Sequence, residues 1–288
     1  MNVLKGKRII VTGGSHGIGL CIAEKCVKEG AEVIIVARNN TDLDNSLNKL
    51  KIISDKNHLS YSLDVKNLNS VRTFASWVQN KDLEINGLVN CAGIYGSIGK
   101  LTDIEMEEFT DTIDINLLGT VYMCSAFSPL LVGKTRKKIV NFSGGGAASP
   151  FPNYSAYATS KVAIVRFTEN ISLELTEERF DINCVAPGFV ITRLHQKTID
   201  AGPEMAGLAF FKNTNSQVKD GGVPPEKAAE LTAFLLSKDS DGITGKFLSA
   251  PWDPWQDKTF QEKLREDNDL ATLRRIDEKY FKKSDNNY

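Results

Sequence analysis

Tyr157 and Lys161 are the side chains of this sequence whose types and spacing most directly suggest chemistry. Four residues apart, they share a face if the segment is helical. A phenol is a poor acid or base near neutral pH because its pKa is about 10. A nearby ammonium favours the phenolate and lowers that value. Such a pair can give a proton to the alkoxide left when a hydride adds to a carbonyl, or take one in the reverse direction. The same spacing also occurs as an ordinary contact on a helix surface, so the pair alone leaves both readings open. Tyr154 competes as the acid, but Ala158, not a lysine, stands four residues after it.

A glycine cluster provides a second chemical possibility: Thr12-Gly13-Gly14-Ser15-His16-Gly17-Ile18-Gly19. It follows an apolar run and opens a helical pattern. In that setting glycines let the backbone approach a pyrophosphate, and the helix N-terminus offers it free N–H groups. The spacing, Gly-x3-Gly-x-Gly, is not the GxGxxG of the long dehydrogenases. A tight strand-to-helix turn is the other reading.

Hydrophobic periodicity predicts the elements that must position these groups. Residues 8–12, 31–37, 59–63, 87–91, 138–142, 181–185 and 245–249 read as short strands. Helical patterns cover 17–29, 39–56, 68–78, 104–131 with a soft middle at Gly119, 154–176 and 225–236. Strands apolar on both faces, alternating with helices, imply a parallel sheet covered on both sides. The expected fold is α/β: a doubly wound parallel sheet in three layers, Rossmann-type, forming a single domain over residues 1–250. Residues 194–222 carry several glycines and little periodicity, and are expected to be a long loop serving as a substrate lid. Residues 251–288 begin Pro-Trp-Asp-Pro-Trp and are expected to form a charged, helical extension packed on the same domain.

Composition excludes several classes. The net charge of −1 offers no excess of cations to hold a phosphate backbone, so a nucleic-acid partner is not expected. The five cysteines (Cys21, Cys26, Cys91, Cys124 and Cys184) are odd in number and form no CxxC pair. They read as small hydrophobes in a reducing compartment rather than as a disulfide frame or zinc site. The three histidines, His16, His58 and His195, are far apart, and no metal site is expected. No apolar run approaches the roughly 18 residues of a membrane span. The N-terminus shows no h-region or cleavage site. The reading is a cytoplasmic protein with no membrane partner.

The glycine spacing resembles that of the short-chain dehydrogenase/reductase family, and later residues strengthen the likeness. Asp64-Val65 follows the third strand, where the family places an Asp near the adenine. Asn90-Cys91-Ala92-Gly93 resembles the family's Asn-Asn-Ala-Gly, with Cys91 substituted. Asn116 lies in Asp-Ile-Asn-Leu-Leu-Gly-Thr, similar to the family's helix with a structural and catalytic Asn. Tyr157-Ala-Thr-Ser-Lys161 matches Tyr-x3-Lys, and Pro187-Gly188-Phe189-Val190-Ile191-Thr192 matches the turn that holds the nicotinamide amide. The ordered set spans residues 7–250.

The resemblance implies an NAD(P)-dependent enzyme that moves a hydride between its cofactor and a carbonyl or secondary alcohol, and the substrate is expected to be small and polar, with a sugar-like compound as one candidate. Tyr157 is then the acid in reduction and the base in oxidation. Lys161 reaches the ribose hydroxyls, and Asn116 holds a water linking Lys161 to solvent. Cofactor contacts are expected from Gly13, Ser15, His16, Gly17, Ile18, Gly19, Arg38, Asp64, Val65, Asn90, Ala92, Gly93, Tyr157, Lys161, Pro187, Gly188, Val190 and Thr192. Family members pair the helices that carry Asn116 and Tyr157, so a homo-oligomer, dimer or tetramer, is expected.

The second strand ends Val36-Ala37-Arg38-Asn39, without the acid that usually holds the ribose hydroxyls of NAD. Arg38 can pair instead with a 2′-phosphate. NADP is therefore the expected cofactor and NAD the alternative. His16 stands where many NADP-using relatives carry a basic residue.

One position departs from the family. Its serine usually stands thirteen residues before the tyrosine, which here is Gly144; Ser143 comes one position early. Ser143 is expected to take the role, re-aimed by Gly144-Gly145-Gly146. Ser149 and the glycine N–H groups are the other possible donors. The gap also motivates a second reading, a catalytically silent dinucleotide-binding regulatory protein. His195, Lys197, Met205, Phe210, Phe211 and Lys212 in the lid suit a polar or anionic substrate as well as an apolar one. Trp252 and Trp255, flanking Asp253, either line the pocket mouth for a sugar-like compound or pack the extension onto the body.

Overall fold

The computed structural model describes residues 2–133 and 136–275. Its seven strands are β1 (Arg8–Thr12), β2 (Glu32–Ala37), β3 (Leu59–Ser62), β4 (Gly87–Asn90), β5 (Lys137–Phe142), β6 (Phe180–Ala186) and β7 (Phe247–Ser249). They form one sheet in the order β3-β2-β1-β4-β5-β6-β7, and every pair is parallel. Alternate residues of one strand enter opposite cores, as the two-residue strand period requires. Ile9 and Val11 join Ile22, Cys26 and Leu231 on one face, while Ile10 joins Phe74, Met123 and Phe127 on the other. Being buried on both sides is why these strands read as unbroken apolar runs. The chain reverses its direction of winding between β1 and β4, which opens a crevice at their carboxyl ends.

The helices are α1 (Gly17–Lys28), α2 (Asn40–Ile53), α3 (Leu68–Asn80), α4 (Met106–Ile113), α5 (Gly119–Phe127), α6 (Ser155–Glu174), α7 (Arg193–Ala206), α8 (Leu208–Lys219), α9 (Pro225–Leu236) and α10 (Lys258–Glu266). Asn39 and Asn67 begin α2 and α3 by accepting from the N–H groups of Asp42 and Ser70, which satisfies donors that a helix start leaves unpaired. The soft middle expected at Gly119 is a π-helical turn, Asp114–Leu118, between α4 and α5.

The segment expected to be a long loop differs from expectation. Residues 194–222 are mostly helical, forming nearly all of α7 and the whole of α8. Thr192 starts α7 by accepting from the Leu194 N–H, and its glycines act as breaks: Gly202 (φ 72°) kinks α7 before Pro203, and Gly207 (φ 82°) separates α7 from α8. The buried side of α7 carries His195, Thr198 and Ala206. Small or polar side chains facing inward leave little apolar periodicity to detect.

The extension docks along β7 and α6. Lys246 donates to the carbonyls of Asp267 and Leu270, Phe247 N–H donates to Ala271 O, and Leu273 N–H donates to Glu169 Oε1. The charged tail beyond residue 275 lies outside the described residues. Trp255 is buried against Phe234 and donates from Nε1 to Ala250 O, whereas Trp252 is 74 % exposed. No described helix is long and apolar enough to cross a membrane.

Candidate active site

The crevice at the ends of β1, β2 and β4 is a groove of about 450 Å³. Its floor depends on glycine. Gly13 has φ +67°, and a Cβ there would stand 3.0 Å from Ala92 Cα; one on Gly19 would strike the Gly13 carbonyl. Only bare backbone allows α1 to begin this close to β4. The first turn of α1 carries no acid, and the His16 side chain does not cap it, so its N–H groups remain available to an anion. Thr12 Oγ1 accepts from both Cys91 N–H and Ala92 N–H at 3.1 Å, which ties the loop after β4 to the end of β1.

Twelve of the expected cofactor residues share the walls of this groove: Gly13, Ser15, His16, Gly17, Ile18, Gly19, Arg38, Asp64, Val65, Ala92, Gly93 and Thr192. Asn90, Pro187, Gly188, Val190, Tyr157 and Lys161 are not among the lining residues. Asn90 faces inward, donating to Asn141 Oδ1 at 2.9 Å and Cys124 Sγ at 3.2 Å. Val190 is buried, and the space beside Gly188 is filled by Pro251 of the extension. Arg38 is exposed, with no side-chain ion pair among the described residues. Arg193 and Lys197 of α7 add two cations to the rim. Asp42 faces this side too, 3.3 Å from His16 Nε2 and 3.9 Å from Arg193 Nη1. These walls fit a dinucleotide: a bare-backbone floor, an open helix start, and cations at the rim.

The groove ends at the chemical residues. A Cβ on Gly93 would meet Asn116 Oδ1 at 3.1 Å and Lys161 Nζ at 3.4 Å. Asn116 grips the next residue on both sides: Ile94 N–H donates to its Oδ1 at 2.8 Å, and its Nδ2 donates to Ile94 O at 2.9 Å. The same Nδ2 also reaches Ser160 Oγ at 3.0 Å. The π-helical turn carries Asn116 to this place. Lys161 donates from Nζ to Phe142 O at 2.9 Å and stands 5.6 Å from the centre of the Tyr157 ring.

Burial controls the titration of this pair. It holds the Lys161 ammonium down to about 8, with a smaller opposing pull from Cys91, and pushes the Tyr157 phenol above its ordinary value. The expected lowering of the phenol by Lys161 is therefore not what this geometry produces. The ammonium is committed to a carbonyl, and desolvation is the largest cause for both groups.

Ser143 turns away from the tyrosine, donating to Lys161 O at 2.9 Å. It packs the strand end against α6. Position 144 is the one that faces the phenol, since a Cβ there would land on the Tyr157 hydroxyl. Ser149 is exposed.

The helices α7 and α8 cover the far side. Tyr154 donates to Thr198 Oγ1 at 2.9 Å, and Tyr95 OH lies 3.1 Å from His195 Nε2. Tyr95 stands edge-on to Tyr157, with ring centres 4.7 Å apart, and Phe151 stacks on Tyr154 with Phe210 edge-on to both. Tyr157 is left only 7 % exposed.

The short chain dehydrogenase family profile matches residues 7–202. The chain belongs to this family. It is 30 % identical over 250 residues to dehydrogenase/reductase SDR family member 4 of Bos taurus, covering 85 % of this chain and 86 % of that one. Its structure is similar to that of an NAD+-bound xylitol dehydrogenase (TM-score 0.77, 25 % identity, 85 % of this chain and 98 % of the other). It is also similar to a short chain dehydrogenase from Shigella flexneri complexed with NADP (TM-score 0.75, 24 % identity, 86 % and 98 %). The family is one of oxidoreductases that use NAD or NADP.

Within this short chain dehydrogenase, residues at or beside the groove that escaped the sequence reading include Thr12, Asp42, Tyr95 and Arg193. Thr12 had a signal, a hydroxyl at the last position of a strand leading into glycines. Asp42 lies in an ordinary helix start and Tyr95 in a loop, and neither spacing nor periodicity marks them.

Proposed function

We propose that the protein is an NADP(H)-dependent dehydrogenase/reductase that interconverts a carbonyl and a secondary alcohol on a small molecule. The observation that carries this reading is the meeting of the glycine-floored groove with Lys161 and Asn116 at Gly93, directly beside Tyr157. The bound nicotinamide supplies the hydride. Tyr157, protonated because it is buried, gives its proton to the substrate oxygen as the hydride arrives at the carbon. Lys161 places a positive charge by the phenol and would hold the ribose of a bound cofactor, and Asn116 holds the loop that brings Gly93 against Lys161. Arg38, exposed at the end of β2 with no acid beside it on that strand, supports NADP over NAD.

The substrate's carbonyl is carried on an apolar, ring-like body in this reading. Tyr95 and Phe151 stand edge-on to Tyr157, and Tyr154, Phe210 and Phe211 belong to the same aromatic cluster. The tryptophans that suggested a sugar-like compound stand apart from these walls, Trp255 under the extension and Trp252 in solvent. A homo-oligomer, dimer or tetramer, remains part of this reading by likeness to the family. The five free cysteines support a reducing, cytoplasmic setting.

The test is to mix the protein with NADPH, or separately NADH, and a panel of cyclic and acyclic ketones and aldehydes, and to follow the reduced nicotinamide. Turnover faster with NADPH and lost in Tyr157→Phe is the expected result. The missing side chain at position 144 favours one second reading, a silent dinucleotide-binding regulator. It predicts NADPH binding without turnover on any carbonyl or alcohol.

A further inference from the structure

A carbonyl oxygen that becomes an alkoxide gains from a second hydrogen-bond donor besides the proton-giving phenol, because charge builds on that oxygen in the transition state. Here Gly144 has no side chain, the Ser143 hydroxyl is spent on Lys161 O, the Tyr154 hydroxyl is spent on Thr198, and Ser149 is in solvent. Tyr95 is different. Its ring is perpendicular to that of Tyr157 at 4.7 Å, it is 5 % exposed, and among the described residues its hydroxyl meets only His195 Nε2. The residue before it is clamped on both backbone atoms by Asn116, so Tyr95 is preorganised rather than hung on a mobile loop.

His195 is 7 % exposed, its ring lies 4.0 Å from that of Phe189, and its Nδ1 is buried with no partner among the described residues. Burial keeps it neutral, so it carries one N–H. With that hydrogen on Nε2, the imidazole donates to the Tyr95 oxygen and the Tyr95 hydrogen is free to point elsewhere.

Resting on the reading of the protein as a carbonyl reductase, we infer that Tyr95, oriented by His195 of the lid, replaces the missing serine as the second hydrogen-bond donor to the substrate oxygen. Tyr95 is then a catalytic residue and His195 a positioning residue. Closing α7 onto the body completes the site, so the donor is in place only when the lid is down.

The experiment compares steady-state reduction by wild type, Tyr157→Phe, Tyr95→Phe, His195→Gln, His195→Leu, Ser97→Ala and Ser149→Ala, with NADPH affinity measured for each by fluorescence titration. Ser97 is included because its hydroxyl, in the same loop, is buried with no partner among the described residues. Tyr95→Phe lowers kcat by about 100-fold, the usual cost of removing one such donor, with NADPH affinity unchanged. His195→Leu falls about as far, and His195→Gln, which keeps a donor for the Tyr95 oxygen, recovers most of the loss. Ser97→Ala and Ser149→Ala stay within about twofold of wild type.

If wild type turns over, Tyr157→Phe is dead and Tyr95→Phe keeps its kcat, the inference is overturned while the reductase reading stands, and the glycine N–H groups become the donor. A Ser97→Ala loss as large as that of Tyr95→Phe also overturns it, as does equal loss in His195→Gln and His195→Leu. If wild type reduces no carbonyl at all, the reductase reading falls and takes this inference with it.

Discussion

The hydroxyl of Tyr157 occupies the space that a side chain at position 144 would need. The glycine is therefore more than a gap in a familiar pattern. It lets the phenol sit closer to the end of β5 than any larger residue would allow, and restoring a serine would not restore a lost function.

Gly144→Ser and Gly144→Ala are accordingly expected to lower activity at least tenfold and to destabilise the protein by about 1–3 kcal/mol, the common cost of overpacking a buried site. Assays of reduced-nicotinamide consumption and thermal melts check this. A Gly144→Ser protein more active than wild type would show that the space is free.

The pH profile of reduction follows from Lys161. Burial lowers its pKa to about 8, so the ammonium is present below that pH and is lost as pH rises through it. The Tyr157 phenol is pushed up and stays protonated across this range. The value of kcat/KM for carbonyl reduction should be flat at lower pH and fall above about 8, and Lys161→Met should remove that inflection along with most of the activity. A profile that rises through this region contradicts the assignment.

Arg38→Ala tests the choice of nucleotide. A charge-assisted hydrogen bond is worth about 1.5–3 kcal/mol, and each 1.4 kcal/mol is about tenfold in affinity. The KM for NADPH should rise tenfold or more, and that for NADH should move little. Equal changes for both would place Arg38 away from the 2′-phosphate.

Thr12→Val removes one oxygen and orphans two amides, those of Cys91 and Ala92. Each unsatisfied buried group costs about 1–3 kcal/mol. A clear drop in melting temperature and weaker dinucleotide binding are expected together, because the same loop supplies Gly93 to the groove.

Trp255→Ala should cost about 3–5 kcal/mol of stability, as large buried aromatics usually do, while the surviving folded protein keeps its KM. Trp252→Ala, at a site 74 % exposed, should change neither. A substrate-specific rise in KM in either variant would return the tryptophans to the pocket mouth.

The strands of this fold were legible because burial on both faces writes them as continuous apolar runs, as in Ile9–Ile10–Val11 and Val33–Ile34–Ile35–Val36. The dinucleotide groove was legible because only glycine fits where Gly13 and Gly19 lie. Tyr157 and Lys161 were legible because a helix repeats every 3.6 residues and puts them on one side. α7 was not, since its inward residues, His195 and Thr198, are polar and answer phenols rather than a core.

The sequence by itself therefore determined the sheet, the crevice and the phenol–ammonium pair, each of which depends on local periodicity or on one residue's backbone freedom. Which side chains stand beside the Tyr157 phenol was decided by tertiary structure alone. Ser143 turns to a carbonyl of α6, Gly144 yields its space to Tyr157, and Tyr95 meets His195 one hundred residues away in the chain. Side-chain direction at a strand end and contacts between distant loops leave no spacing to read, because packing sets them.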